Sequence, residues 1–294
     1  MALSPTTSQV RSGDVTLAVR EHGSPGPDRT DVVLVHGYPD RQDTWDALVE
    51  HLPLDRWHVV TYDVRGAGGS GAPEGRDGYR TDRLVDDLVA VLDAVTPGNA
   101  PVHLVGHDWG SVQLWDAVLA EASDPRLTGR IASYTSISGP SLDHAGWVLR
   151  HPQGRERAVR RQRLHSSYIA FFSLPVLPDL VWRLGHRPLG RLIAAREGLP
   201  SGHFGPGLAR DATNGLGLYR ANVGRRPRRP HIRTDVPVLV VHPRRDRFLT
   251  AVLTEDLDRE CTDVRVKVVD GGHWVAVTDP QVVADLLVSH VDGH

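Results

Sequence analysis

The chain of 294 residues reads as an α/β protein, a mostly parallel sheet flanked by helices and interrupted by one helical insertion. Three observations predict this. Short β-prone runs alternate with helix-periodic stretches up to about residue 139, and again from residue 235 onward. From Pro140 to Thr234 arginine, proline and aromatic residues replace that alternation, and no run there reads as a strand. The apolar run Val102 to Val105 breaks into Gly106-His107-Asp108-Trp109-Gly110, where two glycines permit a tight strand-to-helix turn. The predicted division is a core domain, 1–139 and 235–294, with a helical cap over 140–234.

Val15 to Glu21 alternates enough to be the opening strand, and Asp31 to His36 is a second, more apolar one. It ends in His36-Gly37-Tyr38-Pro39-Asp40, a turn whose backbone N–H groups can be aimed into a site. Asp43 to Leu52 predicts a helix and His58 to Tyr62 a strand. The glycine-dense turn Asp63 to Gly71 runs on into Ala72-Pro73-Glu74-Gly75 and not into a helix, so it is not a dinucleotide-binding loop. Thr81 to Val95 places Leu84, Leu88, Val91 and Val95 on one helical face, leaving Asp82, Asp86, Asp87 and Asp93 as its wet face and not a metal site. After the Val102 strand come a helix over Trp109 to Glu121 and a strand over Ile131 to Ser138.

Within the insertion Ser167 to Trp182 is apolar but broken by Pro175 and Pro178, which reads as a core-facing lid segment and not a membrane anchor. The run Arg225-Arg226-Pro227-Arg228-Arg229-Pro230 lacks interleaved aromatics and reads as a solvated linker, not a nucleic-acid patch. The core resumes with a strand over Val236 to His242, a helix over Thr250 to Arg259, a strand over Val264 to Val269 and a helix over Pro280 to His290.

A formal charge of -2 gives no global basic field that would call for nucleic acid or an anionic membrane. The single cysteine, Cys261, excludes a disulfide framework and a cysteine metal cluster. Met1 to Arg11 lacks the pattern of a signal peptide, and no apolar run approaches the ~20 residues of a membrane span. The expectation is a cytoplasmic enzyme with a small-molecule substrate, no cofactor, no metal and no nucleic-acid partner; a homodimer stays open.

The chemistry starts at Asp108. A serine that displaced a leaving group from saturated carbon would form an ether, which water does not readily cut. An aspartate forms an ester, whose carbonyl belongs to the protein and can be attacked by water. Carboxylates are also ionised at neutral pH without a base. From the turn alone, Asp108 reads either as this nucleophile or as an N-cap of the following helix. Asp246 and His273 each sit just past a predicted strand, on the sheet edge where Asp108 emerges and where parallel sheets bind ligands. Sixteen histidines make any one of them weak, but the order nucleophile, acid, histidine raises the set Asp108, Asp246 and His273 above a loop histidine with a surface acid.

His36-Gly37-Tyr38-Pro39, Gly106-His107-Asp108-Trp109-Gly110, the Asp246 turn and Gly272-His273 together resemble the epoxide hydrolase and haloalkane dehalogenase branch of the α/β-hydrolase superfamily. The resemblance spans nearly the whole chain and is strongest to epoxide hydrolases. Tyr168-Ile169-Ala170-Phe171-Phe172-Ser173-Leu174-Pro175 and Leu218-Tyr219-Arg220 resemble the two lid segments in which those enzymes keep ring-opening tyrosines. The chain is also similar to the N-terminal part of actinobacterial proteins fused to a short-chain dehydrogenase.

The resemblance implies a bacterial, cofactor-independent enzyme that opens an epoxide to a vicinal diol. Asp108 would be the nucleophile, His273 with Asp246 the water-activating pair, and Tyr168 and Tyr219 the acids. The amides of Tyr38 and Trp109 would form the oxyanion hole, and the Tyr38-Pro39 bond would be cis. A pair of phenols also suits the chemistry on its own terms, because the leaving alkoxide needs donors that can pass a proton as charge grows. For each tyrosine singly, lid packing is an equal reading. Alternatives are a haloalkane dehalogenase, with Trp109 as a halide donor but Tyr38 where an asparagine is usual; a biosynthetic epoxide-opening cyclase; and a binding protein on the same fold. Phe171, Phe172, Trp147, Trp182 and Phe204 are candidates to line an apolar pocket, although packing explains each equally well.

Overall fold

The computed structural model describes residues 5–96, 100–224 and 232–294. Eight strands form one sheet: β1 (Thr6–Ser12), β2 (Val15–His22), β3 (Thr30–Val35), β4 (Trp57–Tyr62), β5 (Val102–His107), β6 (Ile131–Ile137), β7 (Val238–Pro243) and β8 (Val264–Val269). Their order is β1-β2-β4-β3-β5-β6-β7-β8; β1, β2 and β4 pair antiparallel and every later pairing is parallel. The α-helices, in chain order, are α1 (Asp46–Val49), α2 (Thr81–Val95), α3 (Trp109–Ala120), α4 (Leu142–Arg150), α5 (Glu156–His165), α6 (Ser167–Phe172), α7 (Leu177–Glu197), α8 (Leu208–Asn222), α9 (Val275–Thr278) and α10 (Pro280–Val291).

Strands β4 and β5 are buried along their whole length, which is why they read as continuous apolar runs: helices cover both faces of a parallel sheet. On one face Leu88, Val91 and Leu92 of α2 and Leu114, Trp115 and Val118 of α3 close the core. On the other face Leu48 of α1 and Val283 and Leu287 of α10 pack with Trp45. Helices α4 to α8 all fall between β6 and β7 in the chain, and α8 brings Leu216, Leu218 and Tyr219 against Tyr38 and Trp109 at the sheet's carboxyl edge.

The departures from the sequence reading have local causes. Thr6–Ser12 forms an opening strand ahead of Val15, invisible in the largely polar TTSQVRS because it is an edge strand. Asp43 to Leu52 is not one helix but a 3-10 turn, Gln42–Trp45, followed by the short α1. Thr250 to Arg259 is two 3-10 turns, Ala251–Thr254 and Leu257–Arg259, because Asp256 between them takes a left-handed φ of 55°. Asp87 is not on a wet face: it is buried and accepts from Nε and Nη2 of Arg65, both at 2.6 Å. Pro175 separates α6 from α7, but Pro178 lies within the first turn of α7, where a missing N–H is tolerated. Most of the run around them is not core-facing either: Leu174, Val176, Leu177 and Leu180 are exposed, while Pro178 and Trp182 are buried. The Arg225 to Pro230 run lies outside the described residues. Among the described residues no helix is long and apolar enough to cross a membrane.

Candidate active site

Asp108 sits between β5 and α3 with φ 51° and ψ −121°, a conformation that L residues rarely adopt. Its carboxylate makes no capping bond to α3, which removes the helix-cap reading. The turn is sharp enough that a Cβ at Gly110 would collide with the Val35 carbonyl, and one at Gly37 with Asp108 itself. Glycine at these two positions is therefore what lets the acid stand above the sheet edge.

The Asp108 carboxylate is held from two sides. Oδ1 accepts the Tyr38 backbone N–H at 2.7 Å, and Oδ2 lies 3.4 Å from Nε2 of His273. The Tyr38-Pro39 peptide is cis, as the resemblance implied. Nδ1 of His273 is 3.0 Å from Oδ2 of Asp246, whose other oxygen accepts the N–H groups of Phe248 at 2.8 Å and Leu249 at 3.0 Å. Burial disfavours a charged imidazole, but carboxylates at both ring nitrogens outweigh it and push His273 up to about 10. Burial likewise opposes ionisation of Asp246, yet His273 and the two amides hold it below the ordinary carboxylate range.

Tyr168 on α6 and Tyr219 on α8 meet over this triplet, their ring centroids 6.1 Å apart in an edge-on arrangement. The Trp109 ring meets Tyr219 edge-on, centroids 5.0 Å apart. Burial is the main cause that raises both phenols well above their usual value, followed by Asp108 for Tyr168 and by Tyr168 and then Asp108 for Tyr219, so both are donors at neutral pH. Trp109 is the first residue of α3, so its amide has no partner within the helix. A cavity of about 400 Å³ is lined by Asp108, Trp109, Tyr168, Tyr219, Leu142 and Phe248. None of Phe171, Phe172, Trp147, Trp182 and Phe204 is among its lining residues; Phe172 instead packs edge-on behind Tyr168 and Tyr219, with Trp182 against it.

Three supporting residues went unremarked in the sequence. Glu197, at the end of α7, is buried and accepts the His273 backbone N–H at 3.3 Å. His107 donates from Nε2 to the His273 carbonyl at 2.9 Å. Asp40 accepts from the Trp274 indole at 2.7 Å and from Nε2 of His203 at 2.9 Å. Asp40 and His107 lie within motifs that did stand out, without a role assigned to them there; nothing in the sequence marked Glu197.

Residues 31–280 match the family model described as alpha/beta hydrolase fold. The chain belongs to the α/β-hydrolase family. It is 35% identical over 284 residues to Probable oxidoreductase EphD of Mycobacterium tuberculosis, a match covering 92% of this chain and 46% of that protein. It thus spans about half the length of that relative. It is 29% identical over 296 residues to AB hydrolase superfamily protein YfhM of Bacillus subtilis, covering 96% of each. To Epoxide hydrolase A of Mycobacterium tuberculosis it is 38% identical over 177 residues, 60% of this chain and 50% of the relative. Among solved structures, epoxide hydrolase A from Mycobacterium thermoresistibile superposes with a TM-score of 0.76 at 24% identity over 99% of both chains. The Bacillus megaterium epoxide hydrolase in complex with an inhibitor gives 0.79 at 20% identity over 97% of this chain and 100% of that one. At these identities the structural likeness speaks to the fold.

Proposed function

We propose that the chain is an epoxide hydrolase that forms a covalent ester on Asp108, with residues 140–234 as the cap over the core of 1–139 and 235–294. The observation that carries this reading is the enclosure of an aspartate elbow and two neutral phenols in one cavity, with the His273 and Asp246 pair behind the aspartate. Similarity to Epoxide hydrolase A supports the same reading.

In the first step an Asp108 oxygen attacks an epoxide carbon, the carbon–oxygen bond breaks, and the oxygen takes a proton from Tyr168 or Tyr219. The resting His273 is protonated. Ester formation removes one of the two negative charges that hold that proton, so the imidazole loses it through solvent to the tyrosinate and becomes a neutral base. In the second step His273, steadied by Asp246, deprotonates a water that attacks the Asp108 carbonyl. The amides of Tyr38 and Trp109 hold the tetrahedral oxyanion, a type of interaction worth ~3–4 kcal/mol per donor. Collapse releases the diol with a proton from the nascent acid, and returns the carboxylate and the imidazolium.

Single turnover in heavy-oxygen water tests this. The label should enter Asp108 first, and His273→Gln should accumulate the ester. Label found directly in the diol would sink the covalent route, and a ring product without added water would favour the cyclase.

A further inference from the structure

We propose that the outer face of α7 is a docking surface for an anionic lipid bilayer, on which the protein lies without spanning it. Leu177, Leu180, Leu184 and Leu192 recur at helical spacing on this helix and all are exposed, Leu184 at 76%; Pro178, Trp182, Gly190 and Ala194 turn inward instead. Leu174 and Val176, the latter 73% exposed, extend the apolar surface from the preceding turn, and Leu164 of α5 is also exposed. Most of the exposed large apolar side chains of the described residues thus fall between positions 164 and 192. A concentration of this kind marks an interaction site, whereas scattered exposed leucines do not.

Charge identifies the partner. Between Arg155 and Arg196 the sequence holds nine arginines against two acids, in a chain whose formal charge is -2. The near-neutral total therefore hides a cationic insertion on an acidic core. Arg183, Arg187 and Arg191, four residues apart and exposed, run as a row beside the leucine stripe, and Arg187 and Arg191 enter no ion pair among the described residues. These two arginines also line, with His186, Phe204 and Leu208, a second cavity of about 590 Å³ beside α7. Its basic rim and apolar floor fit a phosphate headgroup with the start of its chain. An apolar stripe edged by arginine is the pattern of a helix that lies in the interface plane of anionic lipid. Two copies packed symmetrically through this face would bring like charges together, which disfavours self-association as its occupant.

Sedimentation of the full chain with vesicles of phosphatidylcholine, alone or mixed with phosphatidylglycerol, tests the proposal. Binding to the mixed vesicles should be at least about tenfold tighter than to phosphatidylcholine alone and should weaken with salt. Arg187→Ser with Arg191→Ser should remove about tenfold of it, and Leu180→Ser with Leu184→Ser most of it, with circular dichroism unchanged. The proposal is overturned if the protein stays in solution with both vesicle types at low salt, binds both equally, or binds undiminished in either double variant. A dimer in sedimentation velocity that Leu184→Asp disperses would overturn it as well, by assigning the face to a second copy.

Discussion

The sheet domain and the helical insertion use apolar residues in opposite ways. In the middle of the sheet apolar side chains point where pattern says they must: Leu104, Val105 and Trp115 are buried because both sheet faces are covered, and only at the edge strand β8 are large apolar strand residues, Val266 and Val268, exposed. In the insertion the same residue types divide three ways. Leu216 and Trp182 pack inward, Leu142 and Ile169 line the cavity, and Leu180 and Leu184 face out. A layer of helices over a cavity has little volume to bury, so hydrophobicity alone does not say which way a side chain turns.

The strongest test of the contrast is at the site the two regions share. Asp108→Asn removes the proposed nucleophile, and turnover of an epoxide should fall at least about 1000-fold while the melting temperature stays within a few degrees. Tyr168→Phe and Tyr219→Phe should each slow ring opening by about 10- to 100-fold, and the double variant should nearly abolish it. Stopped-flow measurement of ester formation, separate from its hydrolysis, reads this directly; an unchanged alkylation rate in both single variants would return the phenols to packing.

Those outcomes bear on how much of the site was legible beforehand. Asp108, Asp246 and His273 could be grouped because each follows a strand, and parallel strands deliver their loops to one edge. Tyr168 and Tyr219 stand on helices of the insertion, and no period in the sequence says that α6 and α8 bring them together; only the family resemblance pointed there. Glu197 was hidden for a different reason: it reaches the His273 backbone across 76 residues of chain from a helix end that reads as solvent-facing. The strands of the core were legible to within about two residues except β1, whose polar edge carries no periodic signal.

Stability should separate the regions more mildly. Leu104→Ala, in a fully buried strand, should cost about 2–5 kcal/mol. Leu184→Ala should cost less than about 0.5 kcal/mol, since that side chain leaves little contact behind. Urea denaturation of both variants measures the difference, and a large loss at Leu184 would mean that the face is covered in solution.

The smallest expected effect concerns the join between the two regions. His203, in the loop between α7 and α8, bonds Asp40 of the core, and Asp40 also faces His107 at 4.0 Å and the Trp274 indole. Burial works against a charged His203, but the Asp40 carboxylate outweighs it and raises the imidazole above its ordinary 6.5. A histidine raised on folding stabilises the native state fully below its unfolded value, and that contribution fades as pH climbs through the folded one. His273 acts in the same direction but fades only toward about 10. Between pH 6 and 9 the melting temperature should therefore decline by about 2 °C more in the native chain than in His203→Gln, which keeps a donor for Asp40 but cannot titrate. Parallel pH profiles for the two proteins would mean that protonation of His203 adds nothing measurable to holding the insertion on the core.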